Sequence, residues 1–216
     1  MGWKIFTAFI KYNDDLVIDI NFIESIGFRG FEFIEETNFN FEPNIGELYV
    51  ANRNGIILIS NTHLIWQFTK PEPTKTELSF ISAFPKSEIA IINLGYGTYF
   101  CVLENGKKIR IREVGDEVYL DIGELLPEEK SIKSEELIHS DDLEKMKLNC
   151  TPKEIENEIQ GSLAYETCFE LTKRFLEKRL DELDLEDFKV SSFKFINRKV
   201  EFKKGQSKNI ELQFEK

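Results

Sequence analysis

Two Asn-Gly pairs, at residues 54–55 and 105–106, constrain the fold of this 216-residue chain more than any other feature. Each pair separates two short runs that are rich in β-branched and aromatic residues. Asn and Gly tolerate the positive φ angles of a type I′ turn, whose twist matches the twist of the flanking strands. The sequence therefore predicts two antiparallel hairpins, across residues 47–60 and 98–113.

Further strand-sized apolar runs surround the two hairpins. Residues 3–10 predict an opening strand, residues 88–94 a strand before the second hairpin, and residues 118–122 a strand after it. Strands joined in this order by short turns form a β-meander. Residues 16–26 fit both a strand and a short helix, whereas residues 74–84 have helical apolar spacing.

One long helix is predicted late in the chain. Residues 151–154, Thr-Pro-Lys-Glu, supply an N-cap hydroxyl, a proline at the first helical position and the glutamate of a capping box. Apolar residues then follow at helical spacing as far as Leu183, with Gly161 as the weakest position, at about 1 kcal/mol relative to Ala. After residue 187 the apolar period changes to two, which predicts a small group of antiparallel strands.

These elements place the chain in the α+β class. A β-rich N-terminal part with an antiparallel meander is followed by one long C-terminal amphipathic helix and the small strand group. The length suits a single domain over residues 1–216. A division into a β-rich part, residues 1–130, and a helical part with the terminal strands, residues 131–216, stays open.

The acidic charge of the chain is concentrated in one segment. The chain has 28 Lys and Arg against 39 Asp and Glu, a net charge of −11. Residues 1–112 carry 11 basic and 13 acidic groups, residues 113–187 carry 9 and 23, and residues 188–216 carry 8 and 3. The net charges are therefore −2, −14 and +5. We call residues 113–187 the acidic segment.

The net acidity argues against nucleic-acid binding, which depends on Lys and Arg neutralising phosphates. It favours a protein partner with a basic surface. The leading hypothesis is a non-catalytic interaction protein, with a toxin-neutralising immunity protein as its most concrete form. An ordinary solvated helix face would carry the same charge. The predicted partner-binding residues are carboxylates of the acidic segment: Asp141, Asp142, Glu144, Glu154, Glu158, Asp181 and Asp184.

No motif in the sequence indicates catalysis. His63 and His139 each lack a second His or a Cys at metal-binding spacing. Residues 95–98, Gly-Tyr-Gly-Thr, lack the third glycine and the following helix of a dinucleotide motif, so they predict a tight turn. We therefore predict no catalytic residue, no metal site and no cofactor.

Two alternatives to an interaction protein stay open. The first is an enzyme, such as a metal-dependent hydrolase, with a site of scattered carboxylates and His63. The second is a β-rich module that binds a small ligand in an apolar pocket lined by some of the 19 phenylalanines.

The compartment signals favour the cytoplasm. Cys101, Cys150 and Cys168 form no C-x-x-C pair and leave one odd thiol, as in a reduced interior. The N-terminus has no small-residue cleavage site after its apolar run. The apolar runs are strand-sized and too short to span a membrane, so no membrane association is predicted.

Two short stretches resemble a known family. Residues 1–4, Met-Gly-Trp-Lys, and residues 122–128, Ile-Gly-Glu-Leu-Leu-Pro-Glu, resemble a family of bacterial cytoplasmic proteins of unknown function that open with a Met-Gly-x-Lys strand. The resemblance covers residues 1–10, 46–60 and 88–129. It implies a single α+β domain of bacterial origin and brings no catalytic residue with it.

Overall fold

The computed structural model describes residues 3–12, 16–70, 72–95, 97–183 and 192–197. These residues build one nine-stranded sheet in which every pair of neighbours is antiparallel. The strands are β1 (Ile5–Lys11), β2 (Phe31–Thr37), β3 (Glu47–Arg53), β4 (Ile56–Ser60), β5 (Glu88–Leu94), β6 (Thr98–Glu104), β7 (Lys107–Val114), β8 (Val118–Gly123) and β9 (Ser192–Asn197). Their order across the sheet is β2-β9-β3-β4-β1-β5-β6-β7-β8.

Helices accompany the sheet and confirm the α+β class. They are α1 (Ile20–Ser25), α2 (Thr62–Phe68), α3 (Lys75–Ala83), α4 (Pro127–Ser131), α5 (Ser134–Leu137), α6 (Ser140–Asn149) and α7 (Pro152–Leu176).

Both predicted hairpins are confirmed. Asn54 and Gly55, between β3 and β4, have φ angles of 51° and 77°. Asn105 and Gly106, between β6 and β7, have φ angles of 50° and 74°. Positive φ at both central residues is the signature of a type I′ turn. The meander from β5 to β8 is confirmed as well.

The central strands of the sheet are buried on both faces. On the central strand β1, Ala8 and Ile10 belong to one apolar cluster, whereas Ile5 and Phe9 belong to another. α1, α2 and α3 contribute buried residues to the first cluster, and we call that side of the sheet the α1–α3 face. α7 contributes to the second cluster, on the α7 face. Burial on both faces explains why β1 is apolar without alternation.

Local side-chain caps fix the starts of the three short helices on the α1–α3 face. Asp19 accepts from the backbone of α1, Asn61 from α2 and Thr74 from α3. Asp, Asn and Thr are preferred N-caps because they satisfy backbone N–H groups that the first turn leaves open. α1 resolves the ambiguity of residues 16–26, and α3 confirms the helix predicted in residues 74–84.

α7 begins with the predicted capping box. Thr151 Oγ1 accepts from the Glu154 amide, and the Glu154 carboxylate accepts from the Thr151 amide at 2.7 Å. The helix ends at Leu176, because Glu177 adopts a left-handed conformation with φ 65°. The predicted helical spacing continues beyond this point, but the next buried residue, Leu180, lies in a short 3-10 turn.

The strand that follows the long helix joins the main sheet. β9 lies between β2 and β3, where Phe195 pairs with Phe33 on one side and with Leu48 on the other. The sequence places this strand within a small terminal group. Its other predicted members, around residues 200–202 and 210–214, lie outside the described residues.

Candidate partner-binding surface

The acidic segment forms the end of β7, all of β8 and the helices α4 to α7. α7 packs on the sheet through its second half, where Ala164, Cys168 and Leu171 are among the buried residues. Its first half, residues 152–163, contains no buried residue, and neither does α6. Most side chains of α6 are therefore exposed, whereas the first half of α7 is a mixture of exposed and half-buried side chains.

The three predicted partner-binding residues of α6 are exposed. Asp142 pairs with Lys145 at 2.7 Å, and Glu144 pairs with Lys147 at 2.6 Å. The hydrogen bond from Lys145 lowers the pKa of Asp142. Asp141 lies in the first turn of the helix. Exposed ion pairs contribute little to stability, so a partner can replace these lysines at little cost.

The other predicted residues have different environments. Glu154 is the carboxylate of the capping box, where the backbone hydrogen bond lowers its pKa. Asp181 accepts two hydrogen bonds from Arg179, which lower the pKa of this carboxyl. Glu158 is exposed on α7. Asp184 lies outside the described residues.

Glu158 stands on the wall of a cleft of about 410 Å³. The cleft lies between α7, the β5–β6 turn and the β7–β8 turn. Asp116 from the β7–β8 turn and Glu166 from α7 also line it, together with Ser162 and Tyr165. We call this feature the acidic cleft, defined by Asp116, Glu158 and Glu166.

The walls of the acidic cleft are held by backbone contacts. Asn157 on α7 donates from its side-chain amide to the Asp116 carbonyl at 2.8 Å, which fixes the β7–β8 turn against the helix. A Cβ on Gly97 would lie 3.0 Å from the Val114 carbonyl oxygen, so the two turns pack closely. A Cβ on Gly161 would meet no atom within 4 Å, because this glycine faces the open cleft. Gly95 and Gly97 lie between β5 and β6, and the Gly95 amide donates to the Gly97 carbonyl at 3.1 Å.

The acidic cleft carries a net negative charge. Glu166 pairs with Arg179 at 2.8 Å, but that guanidinium is shared with two further carboxylates. Within the described ranges, neither Asp116 nor Glu158 makes an ion pair. The cleft therefore offers unneutralised carboxylates to a cationic group.

A different part of the acidic segment is used inside the fold. The side chain of Glu129 is 1% exposed and accepts from Arg110 Nε and Nη2, both at 2.8 Å, and from Arg112 Nη1 at 3.2 Å. Asp121 accepts from Arg110 at 2.5 Å. Burial opposes the charge on Arg110, but the bonds to Glu129 and Asp121 outweigh it and raise the pKa. The acidic segment therefore exposes less negative charge to solvent than its net charge of −14 indicates.

Sequence reasoning missed this network and two residues of the acidic cleft. Arg110 and Arg112 are two apart on β7, and alternate residues of a strand share a face. From this spacing one could have predicted that the two arginines lie side by side and bind a shared carboxylate. No local pattern connects Asp116 with Glu166, because only the packing of α7 on the sheet brings them together.

The alternative site around His63 gains no support from its surroundings. The His63 ring lies 2.7 Å from the side-chain nitrogen of Gln67, one turn along α2. Burial lowers the pKa of His63, and Lys70 adds to this effect. In the part of the chain that the structure describes, no three His, Cys, Asp or Glu residues are grouped to hold a metal ion.

The cysteines of the two cores are poor nucleophiles. Cys101 lies on the α1–α3 face and Cys168 on the α7 face, and both are buried. Burial raises the pKa of Cys101 to about 12 and raises the pKa of Cys168 as well. Because the thiolate is the reactive form, neither thiol is activated.

Comparison with known protein families, with curated proteins and with solved structures gives no match to this chain. The resemblance to a bacterial family therefore stays a prediction. None of the helices in the described ranges combines the length and the apolar character needed to cross a membrane.

Proposed function

We propose that this protein is a non-catalytic interaction module of the cytoplasm that binds a protein with a basic surface, as an immunity protein binds its toxin. The acidic cleft is the observation that supports this function. It is a concave site whose carboxylates Asp116 and Glu158 come from different elements and make no ion pair within the part of the chain that the structure describes. A Lys or Arg side chain of a partner has the length and the charge to enter it.

α6 adds a net charge of −1, because its three carboxylates outnumber its two lysines. Surfaces of one sign accelerate encounter with a partner of the opposite sign and make binding sensitive to salt. α6 therefore contributes mainly to the association rate, whereas a cationic side chain inside the cleft contributes to the lifetime of the complex.

The first test is a charge reversal on the cleft. A partner is captured from cells of the native host, and its affinity is then measured for the purified protein and for Glu158→Lys. The matched control is Glu72→Lys, which makes the same charge change at an exposed site outside the acidic segment. We expect Glu158→Lys to weaken binding at least about tenfold, as for a close interfacial charge pair, and Glu72→Lys to have little effect.

The second test fills the cleft without adding charge. Gly161→Leu places a side chain in the open space while improving helix propensity. We expect weaker partner binding together with an unchanged or higher melting temperature. Equal effects of Glu158→Lys and Glu72→Lys, or an affinity that stays constant between about 50 and 500 mM salt, would contradict the proposed function.

A further inference from the structure

A second concave feature lies beside the end of β8, away from the acidic cleft. It is a groove of about 720 Å³ with an apolar lining made by Ile109, Leu125, Leu126 and Pro127. Leu126 is buried, whereas Leu125 is 47% exposed and stands at its edge. We call this feature the β8 groove.

Two backbone features build the floor of the β8 groove. Ile109 has no partner in the β6–β7 register, because the register shifts between Val102 and Leu103. Such a bulge redirects a side chain, and Ile109 packs against the cluster on the α7 face. Gly123 has φ 93°, and a Cβ there would lie 2.1 Å from the Ile109 carbonyl oxygen. The chain therefore passes the bulge at a distance that only glycine allows.

The positive charge at the groove is already neutralised. Arg174 lies on the lining and donates to Glu128 through two of its nitrogens and to Glu88 at 2.8 Å. Glu104 and Glu124 line the groove from its rim, and both are exposed. In the described ranges neither of these two glutamates makes an ion pair. The groove thus combines an apolar floor with two carboxylates that no described cation neutralises.

We propose that the β8 groove binds an apolar side chain that is flanked by Lys or Arg in an extended segment of the basic partner. This inference rests on the proposed function and names the element of the partner that is recognised. The apolar side chain covers Leu125 and Leu126, and the flanking cations face Glu104 and Glu124. A second copy of this chain fits less well, because a two-fold contact would bring the same rim carboxylates together.

The test uses two fluorescein-labelled peptide amides as probes, Lys-Lys-Leu-Lys-Lys and Lys-Lys-Ser-Lys-Lys, with binding followed by anisotropy. Burial of the leucine side chain favours binding, so we expect the leucine peptide to bind about tenfold tighter or more. Leu125→Lys removes this preference. Leu78→Lys, a leucine that is 52% exposed on α3, is the matched control and keeps the preference.

A second variant keeps the test decisive if Leu125→Lys fails to fold. Glu124 is exposed, and none of the described side chains depends on it for an ion pair. Glu124→Lys weakens binding of both peptides, whereas the matched control Glu72→Lys leaves both affinities unchanged. Equal affinity of the wild-type protein for the two peptides, or a leucine preference that survives in Leu125→Lys, overturns the inference.

The partner captured for the proposed function separates the two proposals. If Glu158→Lys weakens partner binding and Leu125→Lys does not, the acidic cleft stands and the groove inference fails. If only Leu125→Lys weakens it, the groove stands and the role of the cleft fails. If both variants bind as the wild type does, both proposals fail.

Discussion

At the scale of single residues, the carboxylates of the acidic segment have two separate roles. Glu129 is buried between two guanidinium groups and stabilises the fold, whereas Glu158 is exposed and faces an open cleft. The sequence shows both as glutamates in the same charged stretch. The difference arises from Arg110 and Arg112, which donate hydrogen bonds to Glu129 and make none to Glu158.

The Glu129→Gln variant tests the structural role. Removing one partner from a buried charge network costs about 3–5 kcal/mol, because the remaining guanidinium groups stay buried. We expect a loss of this size in urea unfolding. Glu136→Gln is the matched control, since Glu136 is 66% exposed in its pair with Lys133. It should change stability by less than about 1 kcal/mol, and equal effects of the two variants would contradict the prediction.

Glu88 gives the fold a dependence on pH. Burial raises the pKa of this carboxyl, but hydrogen bonds from Lys11 at 2.6 Å and Arg174 at 2.8 Å outweigh it and hold the pKa below its ordinary value. A carboxyl with a lowered pKa in the folded state stabilises the fold above the unfolded-state pKa. That contribution is lost as the pH falls through the folded-state pKa.

We therefore expect Glu88→Gln to lower stability at neutral pH by about 1.5–3 kcal/mol, as for hydrogen bonds to a charged group. The difference from the wild type should shrink as the pH falls below 4.5, the ordinary pKa of the group, because the wild-type carboxyl then also becomes neutral. Urea unfolding at several pH values measures this. A difference that stays constant at every pH would show that the charge is not involved.

At the scale of elements, α7 combines two functions along one helix. Its second half buries Phe169, Leu171 and Phe175 on the sheet, and its first half borders the acidic cleft. Gly161 lies at the transition, on the cleft side. A glycine in a helix interior destabilises it, so its presence here leaves space that a larger residue would occupy.

Two Gly→Ala variants have opposite expected effects. Gly161→Ala should stabilise the protein by about 1 kcal/mol, since the new methyl group meets no atom within 4 Å and helix propensity improves. Gly123→Ala should destabilise it by more than about 1–2 kcal/mol, because φ is 93° and the methyl group would meet the Ile109 carbonyl. Chemical unfolding of both variants checks the signs. Effects of equal sign would refute the local geometry described for these glycines.

The elements that the sequence predicts well are those fixed by neighbouring residues. The two type I′ turns and the capping box of α7 depend on only a few adjacent side chains. The end of α7 was missed, because Glu177 adopts a left-handed conformation that its residue type does not signal. The place of β9 was missed for another reason. Its pairing with β2 and β3 joins residues far apart in the chain, and no local pattern records such a contact.

At the scale of the whole molecule, the last described strand holds the sheet together. Phe195 on β9 is 1% exposed and belongs to the cluster on the α1–α3 face. In the described residues, β2 is joined to the sheet through β9. The β-rich part of the chain thus depends on a strand that comes after the acidic segment.

Phe195→Ala tests this dependence. Truncating a buried phenylalanine costs about 3–5 kcal/mol through lost burial and the cavity that remains. We expect a loss of this size in urea unfolding, and hydrogen exchange should become faster in β2 than in β8. Trp66→Ala, at a residue that is 55% exposed, is the control and should stay within about 0.5 kcal/mol of the wild type. Uniform exchange in β2 and β8 would contradict the role assigned to β9.

Only part of the candidate partner-binding surface could be predicted from the sequence. The excess of negative charge was visible in the sequence, and Asp141 and Glu158 were among the residues predicted to bind a partner. The acidic cleft was not visible in the sequence, because it forms only where two turns of the meander lie against α7. The neutralisation of Glu129 by Arg110 was hidden too, because net charge counts residues without regard to their depth.

The insertion of β9 between two early strands has a consequence for synthesis on the ribosome. Ser192 donates to the Thr37 carbonyl across 155 positions of sequence. Until β9 emerges, β3 presents an open edge that carries Leu48 and Val50, both fully buried in the finished sheet. Unpaired apolar edges of this kind favour association between nascent chains. Synthesis of β9 therefore covers an edge of β3 that is prone to association until then.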